Sequence, residues 1–240
     1  MGKNGQMNKL TIATYCHHPD KILYRRIVES CNYFGYNLFI YYGDGSHWSG
    51  NRVWIINSFL DQLRLVKTEY VYLTDAFDVW MLRDEKSILE AFKSYDCNIL
   101  LPSCRRNEPI DKLGNKFPVS PTSYRYVNGG QTMARTRDLI DLYELLLKKY
   151  SIEKTTNQQG DLSYAVVNKD ADIKIDYYCK VFQTMIDVDL DELKIVDGII
   201  INKETGSNPC SIHFTGPKEE GGFNIKRMIS FYDKWNLLKK

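Results

Sequence analysis

Residues Tyr70 to Leu82 read YVYLTDAFDVWML. Tyr70, Val71, Tyr72 and Leu73 are aromatic, β-branched or aliphatic with no breaker among them, which predicts a strand. A run apolar at successive positions suits a strand covered on both faces. Asp75 and Asp78 then interrupt it, set between further apolar residues. Charges in apolar surroundings are costly without a compensating partner. Two acids at the carboxyl end of a buried strand can share a hard divalent cation. Asp also caps helices and closes turns, and the stretch by itself leaves both readings open.

Working back from it, Arg52 to Val66 carries Val53, Ile56, Phe59, Leu63 and Val66 at helical spacing. Before that, Asn37 to Tyr42 predicts a strand ending in the glycine-rich GDGSHWSGN. Leu10 to Tyr15 predicts the first strand. Pro19 to Phe34 predicts a helix, with Leu23, Ile27, Cys31 and Phe34 on one side. Strands alternating with helices imply an α/β fold: a mostly parallel sheet with helices on both faces. Ligands of such sheets lie beyond the carboxyl ends of the strands. Ala13 to Cys16, Gly43 to Gly50 and Asp75 to Asp78 all fall at that edge.

Working forward, Glu85 to Tyr95 predicts a short helix and Cys97 to Leu101 a fourth strand. Pro102 to Tyr124 loses periodicity, and a loop of that length is usually functional or mobile. Tyr126 to Met133 has strand character interrupted by Gly129 and Gly130, which permit close backbone approach or a bulge. Thr136 to Tyr150 predicts a helix with a Leu139, Leu142, Tyr143, Leu146 stripe. Asn157 to Val167 predicts another, with Asp161 in its first turn, where a cap is the plain explanation. Ile173 to Phe182 and Leu193 to Ile201 look like strands of a second, partly antiparallel region. Ser211 to Phe214 is a last short strand, and Ile225 to Leu238 a closing helix.

The 240 residues allow one large domain, residues 9–240, behind a disordered lead-in over 1–8. A net charge of +2 gives no argument for nucleic acid and none against a polyanion met by a local patch. No apolar run approaches the roughly 20 residues that span a bilayer, and MGKNGQMNKL lacks a signal-peptide core. The six cysteines form no C-x-x-C pair, which argues against structural zinc and for reduced core residues in a cytoplasmic protein.

Five stretches stand out together: TIATY, the WSG of Trp48 to Gly50, TDAFDVW, RYVNGGQTMA from Arg125 and IHFTGPK from Ile212, with YCKVFQTM from Tyr178 as a weaker match. In this order they resemble the nucleotide-sugar-dependent glycosyltransferase domain of procollagen lysyl hydroxylases and related stand-alone enzymes, of the Rossmann-like GT-A class. The resemblance implies a single GT-A domain and a metal held by Asp75, Asp78 and His213. His17, His18 and His47 carry no such pattern. Mn²⁺ or Mg²⁺ suits two carboxylates and phosphate oxygens, and one imidazole tilts the choice toward Mn²⁺. The resemblance also places Ala13 and Thr14 at the nucleoside and Trp48 at the base or ribose. Asn128, Gly129 and Gly130 would lie against the donor sugar and phosphates, and Gly216 and Lys218 at the diphosphate. Lys218 also reads as a solvated lysine beside Glu219 and Glu220. Where family members carry an Asp-Asp-Gln run, this chain has Gln158-Gln159-Gly160-Asp161-Leu162. Asp161 is then the remaining acid for catalysis or sugar contact, with Asp78 as the other catalytic residue expected.

The function implied is metal-dependent transfer from a nucleotide sugar, a UDP-sugar by resemblance, to a hydroxyl acceptor. That acceptor is either a hydroxylated protein side chain such as hydroxylysine or a hydroxymethylated DNA base. Arg105, Arg106, Lys112 and Lys116 are the basic residues available to a phosphate backbone. A composition rich in Asn, Lys and Tyr is compatible with a viral or AT-rich source, and then with the host cytoplasm. The alternative is a nucleotide-sugar-binding module that has lost catalysis, supported by the altered Gln159-Gly160-Asp161 region.

Overall fold

The computed structural model describes residues 9–16, 24–43, 52–150, 157–215 and 229–234. In chain order the strands and α-helices are β1 (Leu10–Cys16), α1 (Tyr24–Phe34), β2 (Asn37–Tyr42), α2 (Arg52–Leu65), β3 (Tyr70–Asp75), β4 (Val79–Met81), α3 (Glu85–Lys93), β5 (Ile99–Cys104), β6 (Tyr126–Val127), β7 (Gln131–Arg135), α4 (Thr136–Tyr150), α5 (Gln158–Asn168), β8 (Ile173–Asp176), β9 (Phe182–Thr184), β10 (Leu193–Val196), β11 (Ile199–Asn202) and β12 (Ser211–His213). Residues 229–234 are helical, in agreement with the closing helix as far as they reach. The lead-in over 1–8 and the first turn expected at Pro19 lie outside the described residues.

The main sheet has the order β2-β1-β3-β7-β5-β6, with β8 also paired to β5. β1 lies parallel to both β2 and β3, β7 runs antiparallel between β3 and β5, and β8 is parallel to β5. Parallel neighbours require a crossover, and α1 and α2 supply those between β1, β2 and β3. The sheet is therefore mixed: β1, β2, β3, β5 and β8 point one way, β6 and β7 the other.

The period of two along β3 explains its uninterrupted apolar run. Tyr70 and Tyr72 join Ile27 and Cys31 of α1 and Ile88 and Phe92 of α3 in one buried cluster. Val71 and Leu73 join Ile56 and Leu60 of α2, Leu139 and Leu142 of α4 and Leu162 of α5 in another. Each such side chain contributes about 1.5–3 kcal/mol when fully buried.

A smaller sheet has β12 in its middle, antiparallel to β4 and parallel to β9. Trp80 of β4 is fully buried and stacks on Phe214 with ring centroids 5.1 Å apart; Phe231 and Tyr232 pack around it. The hydrophobic tail of the Tyr70–Leu82 stretch is thus a second strand in a different sheet.

Three expectations need correction. Ile173 to Phe182 is two strands in different sheets, and β8 joins the main sheet rather than a separate antiparallel region. The break falls at Asp176, which is fully buried. Its carboxylate accepts the N–H groups of Lys180, Val181 and Phe182 at 2.9, 2.7 and 2.9 Å and the hydroxyl of Tyr95. Burial pushes this carboxyl above its usual range, and the four donors pull it back. The fourth strand is shifted to Ile99–Cys104, so Pro102 lies within it. The irregular segment also contains a 3-10 turn, Asp111–Lys116. Arg105 anchors its start, donating to Glu192 at 2.9 and 2.5 Å and to Glu204 at 3.0 Å, with its guanidinium over the Tyr124 ring.

All six cysteines are free, and five of them are buried. Among the described residues no helix is long and apolar enough to cross a membrane.

Candidate functional site

Asp75 ends β3 at the carboxyl edge of the main sheet, and Asp78 immediately precedes β4. His213 ends β12, opposite Val79 in the antiparallel register. The N–H of Phe214 donates to the carbonyl of Asp78 at 2.9 Å, which locks the imidazole strand to the acidic bend. His213 Nε2 lies 3.6 Å from Asp75 Oδ2 and 3.5 Å from Asp78 Oδ1. One ligand atom from each of the three residues lies within 4.8 Å of the others. His213 is 1% exposed, whereas the Asp75 side chain is 41% exposed, so the cluster opens to solvent on the Asp75 side.

Gly130 forms the wall behind this cluster. A Cβ there would sit 2.2 Å from His213 Cε1 and 2.6 Å from Asp75 Oδ2. The chain thus approaches the cluster as closely as a residue without a side chain allows. Two carboxylates and one imidazole around a space kept clear by glycine fit a divalent cation.

The loop bearing Gly130 is held from both sides. Gly130 N–H donates to Asn128 Oδ1 at 3.0 Å, and Gly129 N–H to Gln159 Oε1 at 2.9 Å. Gln159 Nε2 in turn donates to the carbonyl of Glu108 at 2.8 Å. A cleft of about 290 Å³ shares Asn128 and Gln159 with this loop and is lined also by Arg106, Glu108, Ile186 and Thr215. Arg106 is ion-paired with Asp187, and its second guanidinium nitrogen lies 3.4 Å from Glu108.

Asp75, Asp78, His213, Asn128, Gly129 and Gly130 therefore come together. Ala13 and Thr14 are buried in β1, two and one residues before Tyr15, the register partner of Asp75. Thr14 donates its hydroxyl to the Thr74 carbonyl at 2.8 Å, and its own carbonyl accepts from Gln62 at 2.7 Å. Asp161 is fully buried in the first turn of α5. The cap is Asn157, whose side chain accepts the Gly160 N–H. Asp161 and Asp75 both lie near Tyr143, whose hydroxyl is raised first by burial and further by these two acids. Trp48, Gly216 and Lys218 lie outside the described residues. Sequence reasoning missed Gln159 and Glu108 as cleft residues. The displaced Asp-Asp-Gln alignment was the signal at Gln159; nothing distinguished Glu108.

Residues 3–227 match the PLOD GT domain family. The chain is 27% identical over 222 residues to an uncharacterized protein of Acanthamoeba polyphaga mimivirus, covering 88% of this chain and 46% of that protein. It is 23% identical over 213 residues to human procollagen-lysine,2-oxoglutarate 5-dioxygenase 2, covering 81% and 28% respectively. The chain thus spans about half the length of the viral relative and less than a third of the human one. A solved glycosyltransferase involved in glycosylation of the major capsid of PBCV-1 superposes with a TM-score of 0.56 at 12% identity, covering 93% of this chain and 98% of that one. That likeness shows a shared fold, with the mixed sheet of GT-A glycosyltransferases. A family match running over nearly the whole chain, on a GT-A sheet with an Asp-Asp-His cluster at its edge, places the chain in the PLOD GT domain family, as a glycosyltransferase domain.

Proposed function

We propose that this chain transfers a sugar from a nucleotide sugar, a UDP-sugar, to a hydroxyl on a protein side chain, with Asp75, Asp78 and His213 holding a divalent cation. The observation that carries this reading is the convergence of those three side chains on a space that Gly130 keeps clear. When the anomeric C–O bond breaks, negative charge grows on the departing diphosphate, and a bound cation offsets it. The single imidazole favours Mn²⁺ over Mg²⁺ in this set.

The remaining roles are those that the family resemblance implies. Ala13 and Thr14 present the β1 end to the nucleoside, with Trp48 as an aromatic wall. Asn128, Gly129 and Gly130 orient the sugar and phosphates, and Gly216 and Lys218 complete the diphosphate side. Asp78 is the catalytic carboxylate of this reading, and Asp161 is a positioning one. Asp161 acts from within the protein, because it has no surface of its own.

A protein acceptor such as hydroxylysine is favoured over hydroxymethylated DNA. The curated human relative is named for procollagen lysine. Arg105 and Arg106, two of the four basic residues available to a phosphate backbone, are already matched by Glu192, Glu204, Asp187 and Glu108. Six free cysteines support a reducing, cytoplasmic setting.

The test is incubation with Mn²⁺, a panel of UDP-sugars, and either a hydroxylysine peptide or hydroxymethylated DNA, followed by mass spectrometry. One hexose or pentose added to the peptide is the expected result. UDP binding without turnover of any donor would overturn it in favour of a binding module.

A further inference from the structure

Behind the ligand cluster lies a buried polar node to which the transfer reaction gives no task. Tyr72 Oη and Ser211 Oγ are 2.5 Å apart, and Gln131 Nε2 donates to them at 2.7 and 2.9 Å. Ser211 Oγ also lies 3.2 Å from the Val181 carbonyl. None of the three side chains has more than 1% exposure.

The three residues come from β3, β7 and β12, and each sits a short step from the site. Tyr72 is three residues before Asp75, Gln131 follows Gly130, and Ser211 is two residues before His213. Residues two apart on a strand share a face, so Ser211 and His213 share a face of β12. β3 and β7 belong to the main sheet, whereas β12 belongs to the smaller one. The node is therefore a side-chain bridge between the sheet that supplies Asp75 and the sheet that supplies His213.

We propose that Tyr72, Gln131 and Ser211 are positioning residues that set the distance of His213 from Asp75, and so tune the affinity of the cation site. This rests on reading the Asp75–Asp78–His213 cluster as that site. Apolar side chains would fill the same space but would supply no directional bond between the two sheets. A hydrogen-bonded network in a low-dielectric interior admits one arrangement. Among the described residues, the node leaves Gln131 Oε1 buried with no partner. Such an orphan acceptor is costly, and its presence points to a geometric requirement rather than to stability.

The experiment is titration of Mn²⁺ alone, read by the electron paramagnetic resonance of the free ion, on the wild type, Tyr72→Phe, Ser211→Ala and Tyr150→Phe. Tyr150 is the control: its buried hydroxyl bonds Asp170 and Asn168 at the end of α4. Thermal melting accompanies each protein, and Ser211→Ala is the milder change should Tyr72→Phe fail to fold. The expected result is a loss of Mn²⁺ affinity of about tenfold or more in the two node variants, in the range seen when groups supporting metal ligands are removed. Tyr150→Phe should bind as the wild type does. Node variants that are folded and bind Mn²⁺ normally would overturn the proposal, as would an equal loss in Tyr150→Phe. A wild type that does not bind Mn²⁺ would instead overturn the reading of the cluster on which the proposal stands.

Discussion

The backbone N–H of Asp75 donates to the carbonyl of Gly130 at 2.8 Å, so this glycine is fastened to the ligand that a side chain there would strike. In Gly130→Ala the added methyl would press on the buried His213 ring and displace the Asp75 carboxylate. Mn²⁺ affinity should fall by about tenfold or more, and transfer with it, while the far-ultraviolet spectrum stays unchanged. Calorimetric titration with Mn²⁺ measures this directly; an alanine variant binding like the wild type would show that the cluster is not where the metal sits.

Asp78→Ala and His213→Ala should each lower transfer by roughly two to three orders of magnitude, the scale on which charge-stabilising groups act. Release of UDP from the donor is the readout. The two losses should combine far less than additively, because both residues serve one ion.

Asp176→Ala should destabilise the fold by about 3 kcal/mol or more. Three backbone N–H groups and the Tyr95 hydroxyl would lose their acceptor inside the protein. Urea unfolding gives the figure. A change below about 0.5 kcal/mol, the range of ordinary surface substitutions, would mean that the turn does not depend on this carboxylate.

Acid should weaken the anchor of the irregular segment. The Arg105 guanidinium, hydrogen-bonded to Glu192, holds that carboxyl below its ordinary 4.5. A depressed carboxyl adds stability above its unfolded value and loses it as the pH falls through the lower folded value. Arg105→Met should therefore cost about 1 kcal/mol at pH 7, after allowance for partial exposure, and much less near pH 3. Asp176 works in the opposite sense. Its carboxyl is raised by burial, so its contribution declines as the pH rises from about 3.8. Unfolding free energies of wild type and Arg105→Met across pH 3–7 separate the two groups.

Much of this architecture is legible in the residues. The leucine stripe of Thr136 to Tyr150 became α4 with the same limits, and the run from Tyr70 became β3 because both its faces are covered. Asp75 and Asp78 announced themselves by being charged where neighbours were apolar. What stayed hidden was pairing. Nothing local says that β7 enters between β3 and β5 in reverse, since strand order is set by tertiary packing. Asp176 misled because a carboxylate within an apolar run resembles an outward-facing strand residue, while here it gathers N–H groups and turns the chain. At Gln159 an amide has no charge to draw the eye, and only its bonds to Gly129 and Glu108 reveal its place.

The central strand of the smaller sheet, β12, is the last strand in the described chain, and its neighbours β4 and β9 both precede it. During translation those two remain open edges until residue 211 has left the ribosome, and open edges invite pairing with other chains. A premature stop ahead of Ser211 would yield a product that carries both acids yet lacks the imidazole, and that is prone to aggregate as well as inert.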